Sequence, residues 1–303
     1  MSTGPTNLLQ VLQKRVETLQ GEGKLEDALR VAQTAVDAAR RNVSSDPACV
    51  PQLVSTLLML ADLRRMCSDF EGAENVYLEG LGLAADENVG VSNLEIARFQ
   101  SGLASLYDFT SRETQAIPLY QEAINRFEGN TPPELEESAY LCNNLAMIYK
   151  QLGDFQSAET YYLKALGVFE STRGASHTSV GTVLNNLGGL YGEMDQPEKA
   201  RGMHERAMAI RENVHPKNHP DLGQSLCNLA TVYHQLGDFN NAKKHYDAAM
   251  RLFEKNLEEA GEDYSISMRN YAELLREHGH EAKAEVLEQK LRGLAQQMSE
   301  GRV

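Results

Sequence analysis

At 303 residues the chain has room for two ordinary globular domains or one elongated solenoid. It holds only 9 Pro and no Trp, with Leu, Ala, Glu, Gln and Arg abundant, which favours helices and argues against a turn-rich β-sandwich. A formal charge of −14 works against attraction to nucleic-acid phosphates or an anionic membrane surface and favours a protein segment of basic or mixed charge.

The N-terminal stretch to Gln20 has no basic segment followed by an apolar core, and no apolar run approaches the roughly 18 residues of a membrane span. A soluble, cytoplasmic protein is expected. Cys49, Cys67, Cys142 and Cys227 show no CxxC pairing and lie within apolar helical patterns, so they are expected as small core residues in a reducing compartment.

From the N-terminus, the first recognisable element is GEGKLEDALRVAQTA, Gly21 to Ala35, a turn leading into a helix. Its Ala28 is followed 45 residues later by Ala73 and 43 later by Ala116. From there the interval is 42, through Ala158, Ala200, Ala242 and Ala284. Tyr107, Tyr149, Tyr191 and Tyr233 keep the same spacing, as do Ala123, Ala165, Ala207 and Ala249. A period of this length marks stacked helix pairs. The predicted units lie near 6–45, 50–86, 92–130, 135–171, 177–213, 219–255 and 262–292, with a polar C-terminal tail over 293–303 that closes the stack.

The fourth unit shows why each repeat makes two helices. Leu141, Leu145, Ile148, Tyr149 and Leu152 recur at helical spacing and predict one buried stripe. Gly153 and Asp154 break that helix, glycine supplying the positive φ of a C-terminal turn. Phe155 opens the second helix, with Ala158, Tyr161, Tyr162, Ala165 and Phe169 as its core stripe. The two form an αα-hairpin.

The pattern Leu145, Ala146, Tyr149, Ala158, Tyr162, Ala165 resembles the tetratricopeptide repeat family, from about Leu8 to Leu291. The 42-residue period, the NNLA of Asn143 to Ala146 and HPDLGQSLCNLATVY, His219 to Tyr233, are similar to the kinesin light chain subclass. HTSVGTVLNNLGGLY, His177 to Tyr191, departs from that signature by Thr178 in place of Pro. The likeness is to the subclass and not to a kinesin light chain itself, which carries a long heptad region ahead of its repeats. It implies an all-α, right-handed superhelical solenoid of about seven units, acting as a non-catalytic scaffold or adaptor for protein partners.

Asn144, Asn186, Asn228 and Asn270 recur at one register of the first helix, with Asn143 and Asn185 before two of them. Asn in a helix interior is unfavourable, so the ladder asks for a reason. In the resembling family this register lines a concave groove, where a carboxamide can donate to and accept from the backbone of an extended peptide. The alternative is that the ladder bonds across neighbouring helices, as it would in a self-assembling structural scaffold. Variable neighbours on the groove side are Tyr140, Met147, Lys150 and Gln151, then Thr182, Gly189 and Glu193, then Gln224, Thr231, His234 and Gln235, then Arg276 and Glu277. This mixed surface favours an internal segment over a terminal carboxylate. The tyrosine series has helical core spacing and is not expected to stack bases.

Signals for chemistry are weak. The chain has no GxxxxGK, GxSxG or HExxH, and no enzymatic activity or cofactor is expected. His215 and His219 lie four apart, but Pro216 and Pro220 place them in a loop with no third ligand apparent, so no metal site is expected. His278 and His280 fall at a turn and are expected at the surface.

Overall fold

The computed structural model describes residues 5–86 and 90–299. Its regular structure is helical, with one 3-10 turn at Pro47–Cys49. The chain divides into two compact units, Met1–Ile148 and Tyr149–Val303. The first holds α1 (Pro5–Gly21), α2 (Leu25–Ser45), α3 (Val50–Met66), α4 (Phe70–Ala84), α5 (Asn93–Phe109), α6 (Glu113–Gly129) and most of α7 (Leu135–Gln151). The second holds α8 (Phe155–Arg173), α9 (Thr178–Glu193), α10 (Pro197–Val214), α11 (Pro220–Gln235), α12 (Phe239–Phe253), α13 (Leu257–Glu277) and α14 (Glu281–Ser299).

Within the first unit, α2, α4 and α6 pack on α1, α3 and α5. Within the second, α10, α12 and α14 do the same on α9, α11 and α13. The first helices of successive pairs also touch, α3 with α5, α9 with α11 and α11 with α13. The architecture is the helix-pair solenoid that the period predicts.

The turn inside each pair has one geometry. Gly23, Ser68, Ser111, Gly153, Asp195, Gly237 and Gly279 occupy the same place in successive repeats, and all have φ between 55° and 79°. The next residue donates its N–H back to the first helix, as Asp154 does to Tyr149 at 2.9 Å and Asp238 to Tyr233 at 2.9 Å. Asp69, Asp154 and Asp238 then cap the second helix by accepting from Gly72, Ser157 and Asn241 at 3.0–3.1 Å. Only glycine enters the left-handed region without strain, so the fold imposes this turn on Ser68, Ser111 and Asp195.

Two columns of small residues hold the helices together. Ala28, Ala73, Ala116, Ala158, Ala200, Ala242 and Ala284 are fully buried, as are Ala35, Ala123, Ala165, Ala207 and Ala249. Gly80 stands in the second column, and a Cβ there would lie 2.1 Å from the Phe99 ring. One turn away, the aromatic position of the second helix is filled by Tyr77, Tyr120, Tyr162 and Tyr246, each at most 1% exposed. In the fifth repeat His204 takes that place at 4% exposure. A Cβ on Gly188 would meet its ring at 2.6 Å, so the glycine makes room for it. Its Nδ1 is buried without a hydrogen-bond partner, and burial first, then the charge of Arg211, pulls its pKa down to about 4.

Several expectations need correction. Leu152 is 53% exposed, because α7 ends at Gln151 and leaves it in the turn. Tyr149 and Tyr161 are half-buried and stack on each other at 5.7 Å. Cys142 and Cys227 are buried, whereas Cys49 and Cys67 are half-buried at helix ends. The stretch expected as a polar tail is helical through Ser299 and buries Leu294, its last four residues lying outside those described. Among the described residues, no helix is long and apolar enough to cross a membrane.

Relieving the imposed turn should stabilise the protein. Ser68→Gly and Asp195→Gly are each expected to raise unfolding free energy by ~1 kcal/mol in urea titrations, part of the left-handed penalty being returned as glycine entropy in the unfolded chain. No gain at either site would show the turn to be unstrained there. For His204 the folded pKa lies below the unfolded value of about 6.5. The unfolded chain therefore takes up the proton first, and stability present above pH 6.5 is lost as pH falls towards 4, on the order of 3 kcal/mol in all. His204→Phe should flatten the stability profile over that window relative to wild type; parallel profiles would contradict the assignment.

Candidate functional site

The residues singled out in the sequence lie on the first helices of the repeats. In the first unit, α7 carries Tyr140, Asn144 and Met147 at i, i+4, i+7 spacing, with Asn143 beside them. Tyr140 is 41% and Met147 42% exposed, two turns apart on one side of the helix. Asn143 Nδ2 lies 3.4 Å from Asn144 Oδ1 and 3.8 Å from Met147 Sδ. Asn144 also reaches the Tyr120 hydroxyl, whose pKa burial raises and contacts with Ser105 and Asn144 partly restore.

In the second unit Asn185, Asn186, Asn228 and Asn270 are all half-buried. Asn228 Nδ2 donates to Asn185 Oδ1 at 2.8 Å, joining α11 to α9. Lys150 pairs with Glu193 at 2.9 Å, its ammonium lying over Gly189, where a Cβ would be 3.7 Å away. His234 Nε2 lies 2.6 Å from Glu277 Oε2, joining α11 to α13, and that contact holds the Glu277 carboxyl below its usual pKa. Gln235 rests against Gly192. The hydrogen-bonded rungs each span 43 residues, one more than the repeat, because a side chain leaning between adjacent crossed helices meets its neighbour one residue further on. Gln151 is exposed at the end of α7. Arg276 is turned aside, its guanidinium held by Glu288 at 2.9 Å and Glu281 at 3.3 Å.

The series Tyr107, Tyr191 and Tyr233 anchors the first helices from behind, donating to Glu74, Glu159 and Glu205 of the preceding second helix at 3.0, 2.7 and 3.4 Å. Burial, then Glu159, pushes the Tyr191 phenol up to about 12. It is a neutral structural donor.

Sequence reasoning missed a polar cavity of about 350 Å³ in the first unit. It is lined by Gln13, Glu17 and Gln20 of α1, Thr56 and Asp62 of α3 and Arg98 of α5. Burial raises the Asp62 carboxyl, which accepts from Tyr77 Oη at 2.5 Å. The irregular 45- and 43-residue intervals at this end hid the register. Asp62 nevertheless precedes its aromatic by fifteen residues, as Ser105 precedes Tyr120 and Thr231 precedes Tyr246, a signal that could have placed it on this face.

In each compact unit, helices paired through one recurring turn define a helical repeat scaffold of the kind that mediates protein–protein interaction and is generally non-catalytic. A family model for the tetratricopeptide repeat matches residues 136–213 and 221–297. The chain belongs to the tetratricopeptide repeat family. It is similar to BtubC (BKLC) from P. vanneervenii at 39% identity and a TM-score of 0.64, over 75% of this chain and 90% of that one. The fold is shared with a putative kinesin light chain of Podosopora anserina with nearly identical repeats, at 21% identity and a TM-score of 0.57, over 68% and 96% of the two chains. It is shared too with the apo form of RapI, at 16% identity and a TM-score of 0.70, over 97% and 77%. Comparison with curated proteins gives no match.

The rung between α9 and α11 can be measured directly. In a double-mutant cycle of Asn185→Ala and Asn228→Ala, the coupling in unfolding free energy is expected at ~0.5–1.5 kcal/mol. A coupling indistinguishable from zero would mean that the pair does not hold the two helices together.

Proposed function

We propose that this protein is a non-catalytic adaptor that binds an extended segment of a partner protein along the face of its first helices, the concave groove of the repeat family. The observation that carries the reading is the half-buried polar row of the second unit, where Asn185, Asn186, Asn228 and Asn270 lie in line on α9, α11 and α13. The bond from Asn228 to Asn185 engages one N–H and one lone pair, and a carboxamide has two of each. The rung thus orients the side chains and leaves capacity for a peptide backbone. Each bond made would contribute ~0.5–1.5 kcal/mol.

The preferred ligand is a segment of basic or mixed charge. The chain carries −14 overall, and long-range steering selects the opposite sign. Nucleic acid and anionic membrane are disfavoured on the same ground. In the first unit, exposed Tyr140 and Met147 offer apolar contacts beside Asn143 and Asn144. A second reading, self-assembly with the Asn ladder internal, draws on the same Asn228–Asn185 bond, which is an inter-repeat contact.

The test compares wild type with an Asn186→Ala, Asn270→Ala double variant, after showing that both melt alike. Partners captured from native lysate by wild type and lost by the variant are the expected result. Equal capture by both would sink the groove reading. A mass that grows with concentration in light scattering, unchanged by the variant, would favour self-assembly.

A further inference from the structure

A cluster of metal-ligating side chains lies where α10 passes into α11. His215 ends α10 and His219 caps α11. Their imidazoles stack with centroids 3.9 Å apart and planes 22° from parallel. Asp221, in the first turn of α11, brings a carboxylate to both, with Oδ2 at 3.3 Å from His215 Nε2 and Oδ1 at 3.7 Å from His219 Nδ1. One ligand atom from each residue lies within 4.8 Å of the other two. The sequence expectation of no metal site rested on the lack of a third ligand, and the fold brings a third candidate, Asp221, beside the two histidines. Asp221 reads in sequence as an ordinary acid at a helix start.

We propose that His215, His219 and Asp221 bind one divalent transition-metal ion of the zinc class, with water completing a tetrahedral shell. Tetrahedral zinc at bond lengths of about 2.0–2.2 Å holds its ligand atoms roughly 3.3 Å apart; Asp221 Oδ2 and His215 Nε2 already have that separation, and the stacked imidazoles turn so that their lone pairs converge on the ion. Two imidazoles and one carboxylate suit zinc and its neighbours, whereas calcium and magnesium take oxygen donors. The side chains are 25%, 35% and 46% exposed, which leaves a path for the ion. Arg211 donates to the Asp221 carbonyl at 3.0 Å and to Ser225 Oγ at 2.8 Å, anchoring the turn that carries the carboxylate.

The preceding repeat provides an internal control. His177 caps α9 by accepting from Ser179 N at 3.2 Å, as His219 accepts from Asp221 N at 3.2 Å. Capping therefore needs only that histidine. The counterparts of His215 and Asp221 one repeat earlier are Arg173 and Ser179, which make no such cluster. What the sixth repeat adds is the second imidazole and the carboxylate, neither of which the cap requires. Binding through His219 Nδ1 exchanges the cap hydrogen bond for a metal bond, which ties the loop to the first turn of α11.

The experiment uses the tag-free full chain, stripped with chelator, and zinc chloride in isothermal titration, with cobalt(II) as an absorbing substitute. The expected result is one ion per chain, a visible cobalt band of tetrahedral intensity, and a melting temperature that rises with zinc. His215→Gln and Asp221→Asn should each weaken binding at least tenfold and abolish the band while melting like wild type in chelator. A His278→Gln, His280→Gln variant should behave as wild type. Absence of stoichiometric zinc binding by wild type, or equal binding by wild type and both ligand variants, would overturn the proposal.

Discussion

The close approach of paired helices within each unit is the constraint on which the rest of the structure depends. It is made at alanine columns with no exposed surface, Ala116 and Ala123 in the first unit and Ala242 and Ala249 in the second. A larger side chain there would push apart helices that pack with axes roughly 8–10 Å from each other. At Gly80 even a methyl group would collide with Phe99. Because the aromatic position lies one turn from the alanines on the same helix face, the same approach buries Tyr77, Tyr120, Tyr162 and Tyr246.

The turn is the second consequence. A hairpin whose helices must meet at the alanines leaves room for one reversal, and the chain adopts it with glycine at Gly23, Gly153, Gly237 and Gly279 and without it at Ser68, Ser111 and Asp195. Tertiary packing overrides local preference at those three positions. The histidine at position 204 is a comparable exception within the core. A group with two polar nitrogens sits where its neighbours in the stack place a phenol ring, matched by Gly188 and held neutral by burial.

The polar face of the second unit is tied together before any partner arrives. Asn228 with Asn185, His234 with Glu277 and Lys150 with Glu193 bridge successive first helices. Such rungs hold the side chains of successive first helices in fixed orientations. A variant that removes a rung therefore changes stability unless its partner residue is considered with it.

The sequence by itself determined the helices, their pairing, the repeat length, the turn and most of the buried stripes. Those features are written in spacing along one chain segment, and helical periodicity translates spacing directly into a face. It also placed Asn144, Asn186, Asn228 and Asn270 at one register of the first helix. Which side chains meet was decided only by tertiary structure. The 43-residue pairing of Asn185 with Asn228 depends on how neighbouring helices cross, and the withdrawal of Arg276 to Glu288 depends on a contact within the last pair. The cavity at Asp62 and the convergence of Asp221 on His215 and His219 likewise require helix ends and loops to be positioned in space. Local periodicity carries no information about that positioning; packing against neighbouring repeats does.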